Sequence, residues 1–267
     1  REVKQHAISI TTVANTALRA TRAGQLSMWK GAATAYAVRN AVFAIQLANA
    51  GMTGPEAPFT GRHGFTEMIS GPIEIPSLGG ELSAYQIPNV YTKYWPVAYS
   101  LQAVVWAGIE LRKLVSPDQL ASIEVHTYAF SVSESGSEPA KWDPKTRETA
   151  DHSIPYVLAR ALLYGRIDHE AFIPNSYLDP SIRPLMSVIS VQSDEDIEKK
   201  IRENIVELRL SAKDHGGKEY KISIVNPLGH ERRPLSSSQM AGRFKDLCSP
   251  VLGTAKTLEA LEQWSSI

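Results

Sequence analysis

The sequence predicts an α+β protein, in which an all-helical domain carries a smaller α/β domain inserted before its C-terminal helices. Three observations predict it. A long alanine-rich helical run stands near the start, runs of β-branched and aromatic residues occupy the middle, and helical patterning returns from Ser236. The predicted divisions are a first helical part at 1–90, an α/β domain at 91–235 and returning helices at 236–267.

Residues 7–20 read as a helical segment. Residues 27–50 follow as a long helix, closed by Gly51 and a Gly54–Pro55 stop. Eight alanines between 31 and 50 keep its surface small on nearly every side. That predicts close packing inside a helical bundle. Residues 52–92 are rich in Gly and Pro and read as irregular, with short helical turns near "HGFTEMI". "WPVAYSLQAVVWAGIELRKLV" predicts a buried helix with Pro96 in its first turn.

The segments "ASIEVHTYAFSV" and "LMSVISVQSD" have strand composition. Between them, Ile154, Val157, Leu158, Ala161 and Leu162 repeat at helical spacing, and Gly165 ends that helix. "NIVELRLSAKDHGGKEYKISIVNP" reads as a hairpin turning at Gly216–Gly217. The tail is helical in two pieces, with the break placed near Pro250.

Composition bounds the function. A chain of 267 residues, 43% hydrophobic, is long enough for one large domain or two modest ones. Lys+Arg and Asp+Glu both total 28, and the balance lacks the basic stripe of a nucleic-acid binder. One cysteine, Cys248, excludes an internal disulfide and a cysteine-ligated iron–sulfur cluster, and suits a reducing compartment. The longest apolar segment, Trp95–Leu111, is interrupted by Tyr99, Gln102 and Glu110, so no membrane span is predicted. The chain opens on Arg1 already in helical pattern, which reads as a start partway through a larger fold.

Asp151, His152 and Ser153 stand together ahead of the apolar run from Ile154. These residue types build hydrolase triads, but the glycines of a Gly-x-Ser-x-Gly elbow are missing. Asp151 or Ser153 suits the helix N-cap instead, with Pro155 in the first turn. A helix N-terminus also receives carboxylates, so His152 and Tyr156 are candidates to face one. Lys30, in the first turn of the alanine-rich helix, either snorkels to solvent or aims an ammonium at a substrate carboxylate. Lys93 lies among Tyr91, Tyr94 and Trp95, where it is either a desolvated functional lysine or a hinge whose stem packs on the rings. Arg62 and His63, flanked by glycines in "GRHGF", form a plain turn or approach a ligand. His6, His126, His169, His215 and His230 show no metal-ligand spacing, and no metal or cofactor is predicted.

Four stretches together, "TALRATRAGQLSMWKGAATAYAVRNAVFA", "GMTGPE", "TKYWPVAYS" with the following "QAVVWA", and "KWDPKTRETADHSIPYVLARALL", resemble the MmgE/PrpD family, most of all its 2-methylcitrate dehydratase branch. The resemblance implies a large helical domain with a smaller α/β lid, assembled as a homodimer in the cytoplasm, or in the mitochondrial matrix of a eukaryote. Members are longer at the N-terminus, so the chain reads as the C-terminal part of one. It implies metal-free dehydration of a polycarboxylate, 2-methylcitrate to 2-methylaconitate, in propionate catabolism. Lys30 and Lys93 match active-site lysines, and His152 and Tyr156 match lid positions facing the cleft. These four are the catalytic candidates; Arg62, His63 and Ser153 are the substrate-binding candidates. Two residues after Pro96, relatives commonly carry an acidic residue or histidine where this chain has Ala98. That departure keeps open a sister decarboxylation or epimerisation, and a non-catalytic form that only binds or pairs. No nucleic-acid or membrane partner is expected.

Overall fold

The computed structural model describes residues 1–74 and 87–265, which fall into two units, Arg1–Tyr85 and Gln86–Ile267. In the first unit, α1 (Glu2–Ala14) packs on α2 (Trp29–Asn49). Ala7 and Ser9 of α1 and Ala44 and Ala48 of α2 are buried, and Asn40 Nδ2 donates to Asn15 Oδ1 at 2.6 Å. The end of α2 is closed by Met52 N–H on Leu47 O and Gly51 N–H on Ala48 O. A single π-helical turn covers Thr66–Ser70.

The second unit is built on a four-stranded sheet of order β2-β1-β3-β4. Its helices begin with α3 (Gln102–Arg112), followed by strand β1 (Leu120–Thr127). Then come α4 (Ala129–Ser135), α5 (Pro139–Trp142), α6 (Arg147–Ala150), α7 (Ile154–Tyr164), α8 (Pro174–Tyr177) and α9 (Arg183–Ser187). After β2 (Ile189–Ser193) and α10 (Glu195–Arg202) the hairpin β3 (Glu207–Asp214) and β4 (Glu219–Val225) completes the sheet. Helices α11 (Ser237–Leu252) and α12 (Thr254–Ser265) end the chain's described part.

Strand β1 runs parallel to β2, with Ile123 opposite Ile189, and antiparallel to β3, with Val125 opposite Leu210. Alternation then sends Ile123, Val125, Leu208, Leu210 and Ala212 to one face, where all are buried. Helices α3 and α7 pack together and cover that face. Gly108 permits their approach, since a Cβ there would lie 2.8 Å from Ala161 Cβ. Leu101, Val105, Leu111, Ile154, Leu158 and Leu162 fill the layer between helices and sheet, each with no solvent exposure. The other sheet face carries His126, Arg209, Ser211, Lys221 and Ser223 around a cleft of about 340 Å³. The fold class is therefore α+β, with a small mixed sheet among many helices.

Several expectations change. The first helix occupies Glu2–Ala14 rather than 7–20, with a separate 3₁₀ turn at Arg19–Arg22. Helix α2 is not enclosed among the described residues: Trp29, Tyr36, Val38, Val42, Phe43 and Ile45 are exposed, because α1 covers only one side of it. The strand expected across "ASIEVHTYAFSV" stops at Thr127, and "AFSVSES" turns helical as α4. Pro96 lies in a bend ahead of the 3₁₀ turn Tyr99–Leu101, not in the first turn of α3. Pro250 sits inside α11, where one missing amide near a helix end is tolerated, and the break falls at Gly253. Part of the stretch read as irregular, residues 75–86, lies outside the described residues.

Candidate functional site

The second unit gathers four of the sequence-predicted residues, Lys93, His152, Ser153 and Tyr156, on two segments that are bonded to each other. The first segment is an extended strap, residues 90–98, ending in a bend. It is fixed at three points. Thr92 N–H donates to Gly229 O at 2.8 Å. Farther along, the buried Gln102 accepts from the amides of Tyr94 (3.1 Å) and Trp95 (2.9 Å) and returns a bond to Trp95 O at 2.9 Å. At the end, Ala98 N–H donates to Asp151 O at 3.0 Å, which joins the strap to the second segment.

Aromatic stacking reinforces the first anchor. The Tyr91 ring lies between Tyr99 and His230, with centroids 4.6 and 4.5 Å away. Gly229 has φ +98°, and a Cβ there would stand 1.9 Å from Thr92 O, so only glycine lets the two backbones meet. Burial pushes the Tyr99 phenol well above its usual range and holds the His230 imidazole below its own. Lys93 itself is exposed, its neighbours on the strap held in place on either side.

The second segment is the turn Asp151–Ser153 at the head of α7. Ser153 is the N-cap: its hydroxyl accepts from Tyr156 N–H at 3.1 Å and donates to the carbonyl of Lys141. Asp151 and His152 face one another through Asp151 Oδ1 and His152 Nδ1, with side chains 27% and 19% exposed. A carboxylate on Nδ1 fixes the imidazole tautomer and leaves proton exchange to Nε2. Tyr156 stands differently from its expected place on a cleft wall. It is fully buried, its hydroxyl donates to Ala171 O, and burial raises its phenol pKa. Ser153 is buried too. In this structure both support the turn from beneath, because the serine oxygen is engaged by backbone groups and the phenol by a carbonyl.

Beneath the same turn lies Lys141 of α5, with no solvent exposure. Its ammonium has Glu138 Oε2 at 3.8 Å and closes no hydrogen bond among the described residues. Burial lowers its pKa, opposed by the charges of Glu138, Glu134 and Asp151.

Lys30, Arg62 and His63 belong to the first unit. Lys30 is half-buried in the first turn of α2. Arg62 and His63 are exposed; His63 has φ +59°, and its amide donates to Glu67 Oε2 at 2.5 Å. That turn borders a small cleft lined also by Thr12, Pro58 and Met68. Among the described residues no three His, Cys, Asp or Glu side chains gather as a metal cage, and no helix is long and apolar enough to cross a membrane.

Residues 1–76 match the MmgE/PrpD N-terminal domain, and residues 95–266 match the MmgE/PrpD C-terminal domain. The chain belongs to the MmgE/PrpD family. In this MmgE/PrpD chain the strap carrying Lys93 leads into the C-terminal domain match, and the whole Asp151–Tyr156 turn lies within it. Lys30, Arg62 and His63 fall in the N-terminal domain match. Sequence reasoning did not single out Gln102, Gly229 or Lys141. Gln102 had a signal, as one of the few polar residues in the apolar run from Trp95 to Leu111. Lys141 had none beyond its place in "KWDPKTRETADHS".

Proposed function

We propose that this chain is a hydro-lyase of the MmgE/PrpD type that dehydrates 2-methylcitrate to 2-methylaconitate. The observation that carries the reading is the family match together with the bond between strap and turn, which keeps a lysine-bearing segment and an Asp–His pair in one framework. Dehydration requires loss of a weakly acidic proton beside a carboxylate and departure of a hydroxyl. The aci-carboxylate that develops carries added negative charge. Ammonium groups in a water-poor site stabilise such charge as it forms, and Lys93 and Lys30 take that part. His152, oriented by Asp151, exchanges the proton through Nε2. Arg62 and His63 hold further carboxylates, while Ser153 and Tyr156 keep the His152 turn in shape. The protein works as a homodimer in a reducing compartment such as the cytoplasm, in propionate breakdown.

A second reading rests on Ala98. This residue is buried, 7% exposed, and its amide is spent on Asp151. A methyl group there supplies no proton, which favours a decarboxylation or epimerisation of a related polycarboxylate that needs one transfer fewer. Proton NMR of 2-methylcitrate incubated with the protein separates the readings. Appearance of 2-methylaconitate, abolished by Lys93→Ala, supports the hydro-lyase. Release of carbon dioxide or inversion at a substrate carbon, without that product, supports the sister reactions. A near-normal rate in Lys93→Ala removes Lys93 from the mechanism.

A further inference from the structure

A lysine with no solvent exposure is unusual, because an ammonium stripped of water loses several kcal/mol of hydration that only close partners replace. Lys141 has partial replacement. Glu138 Oε2 is at 3.8 Å, too long for a hydrogen bond, and none closes elsewhere among the described residues. Its location explains why the cation is kept. The Lys141 carbonyl accepts the hydroxyl of Ser153, so α5 is fastened to the residue that follows His152. Packing of α5 on both α6 and α7 places the buried cation under the turn between those helices, where Asp151 meets His152. The acidic groups whose charge reaches Lys141 are Glu138 on the lead into α5, Glu134 on α4, and Asp151 itself.

We propose that Lys141 is a positioning residue for the Asp151–His152 pair: its buried ammonium engages the Asp151 carboxylate and so sets how strongly that carboxylate holds a proton on His152. The assignment rests on the reading of His152 as the proton-exchanging group. The physics has a definite sign. A cation next to Asp151 competes with the imidazolium for the same carboxylate and repels it directly. With Lys141 present, neutral His152 is favoured, which is the state a general base needs. Without it, Asp151 is left to His152 alone, and imidazolium persists to higher pH.

The experiment is an NMR titration of histidine ring signals in the full chain, native and Lys141→Met, with the His152 signal identified by its loss in His152→Asn. The expected result is an upward move of the His152 midpoint by about half a pH unit or more. Lys141→Arg should return it toward the native value. Methionine fills most of the lysine's volume without its charge, so the thermal midpoint of Lys141→Met is expected to stay or rise. An unmoved His152 midpoint in a folded Lys141→Met protein overturns the proposal and leaves Lys141 a space-filling residue. Should that variant not fold, Glu138→Gln at a half-exposed site is read instead: removing this anion frees Lys141 for Asp151, and the midpoint should fall. No movement there overturns the proposal equally. The titration needs no substrate, so a failure to turn over 2-methylcitrate defeats the functional reading and leaves this result standing.

Discussion

Ser153 shows what a single residue does in this fold. Its hydroxyl is at once acceptor for Tyr156 N–H and donor to Lys141 O. Ser153→Ala removes both bonds inside a buried region, and about 1–2 kcal/mol of stability should be lost in chemical denaturation. Tyr156→Phe is expected to cost a similar amount, about 1–2 kcal/mol, through the orphaned Ala171 carbonyl. Because the phenol is enclosed, its loss should leave kcat within a few-fold of native in a turnover assay; a collapse of kcat would return Tyr156 to the reacting group. Local features such as these were legible. A serine before Ile154–Pro155, apolar residues at helical spacing, and Gly165 in the left-handed region after Tyr164 are short-range signals, and each sits where the sequence places it. Lys141 was not legible, because its significance comes from burial by distant segments and not from its neighbours in sequence.

At the scale of elements, the strap 90–98 is held by side chains and backbone that belong to three other segments. Gln102→Ala leaves the amides of Tyr94 and Trp95 without their acceptor, a loss of about 3 kcal/mol by thermal or chemical denaturation. His230 makes the strap sensitive to acid. Its Nδ1 accepts from Arg232 N–H at 3.0 Å, an arrangement that a protonated ring cannot keep. Its pKa in the folded protein lies below the ordinary value of 6.5, so the unfolded chain binds more protons as pH falls through that value. Stability should therefore decline as pH drops through the usual histidine range, and His230→Gln should flatten that decline. Titratable neighbours of the ring are Glu231 and the stacked Tyr91. Element boundaries were less legible than element existence. Helix α10 has an Asp194 cap, acidic residues in its first turn and basic ones in its last, yet only Ile197 is buried, so its apolar stripe was too thin to read. "AFSVSES" kept strand-like composition past the point where β2 ceases to pair with β1, and there the chain turned helical.

For the second unit as a whole, the sheet's polar margin decides how it meets acid. Glu207 is nearly buried between Lys200 and Arg209; burial raises its pKa, and the hydrogen bonds from Arg209 and Lys200 outweigh that and bring it below the usual range. Backbone amides of Ile197 and Asp196 do the same for Asp194. Both carboxylates stabilise the fold above their unfolded pKa, and that contribution disappears as pH falls through their lower folded values. Glu207→Gln should reduce the slope of stability against pH on the acid side. The parallel contact of β1 with β2 has a further, kinetic, consequence. Residues 128–188, which include the Asp151–Ser153 turn and all of α7, form the excursion between those two strands. A closure over so much chain is entropically slow, and β1 must also find β3 across the same excursion. The His152 environment therefore matures with the last long-range pairing, not with the early formation of α7. During synthesis, the reactive histidine stays in solvent until the ribosome has released β3.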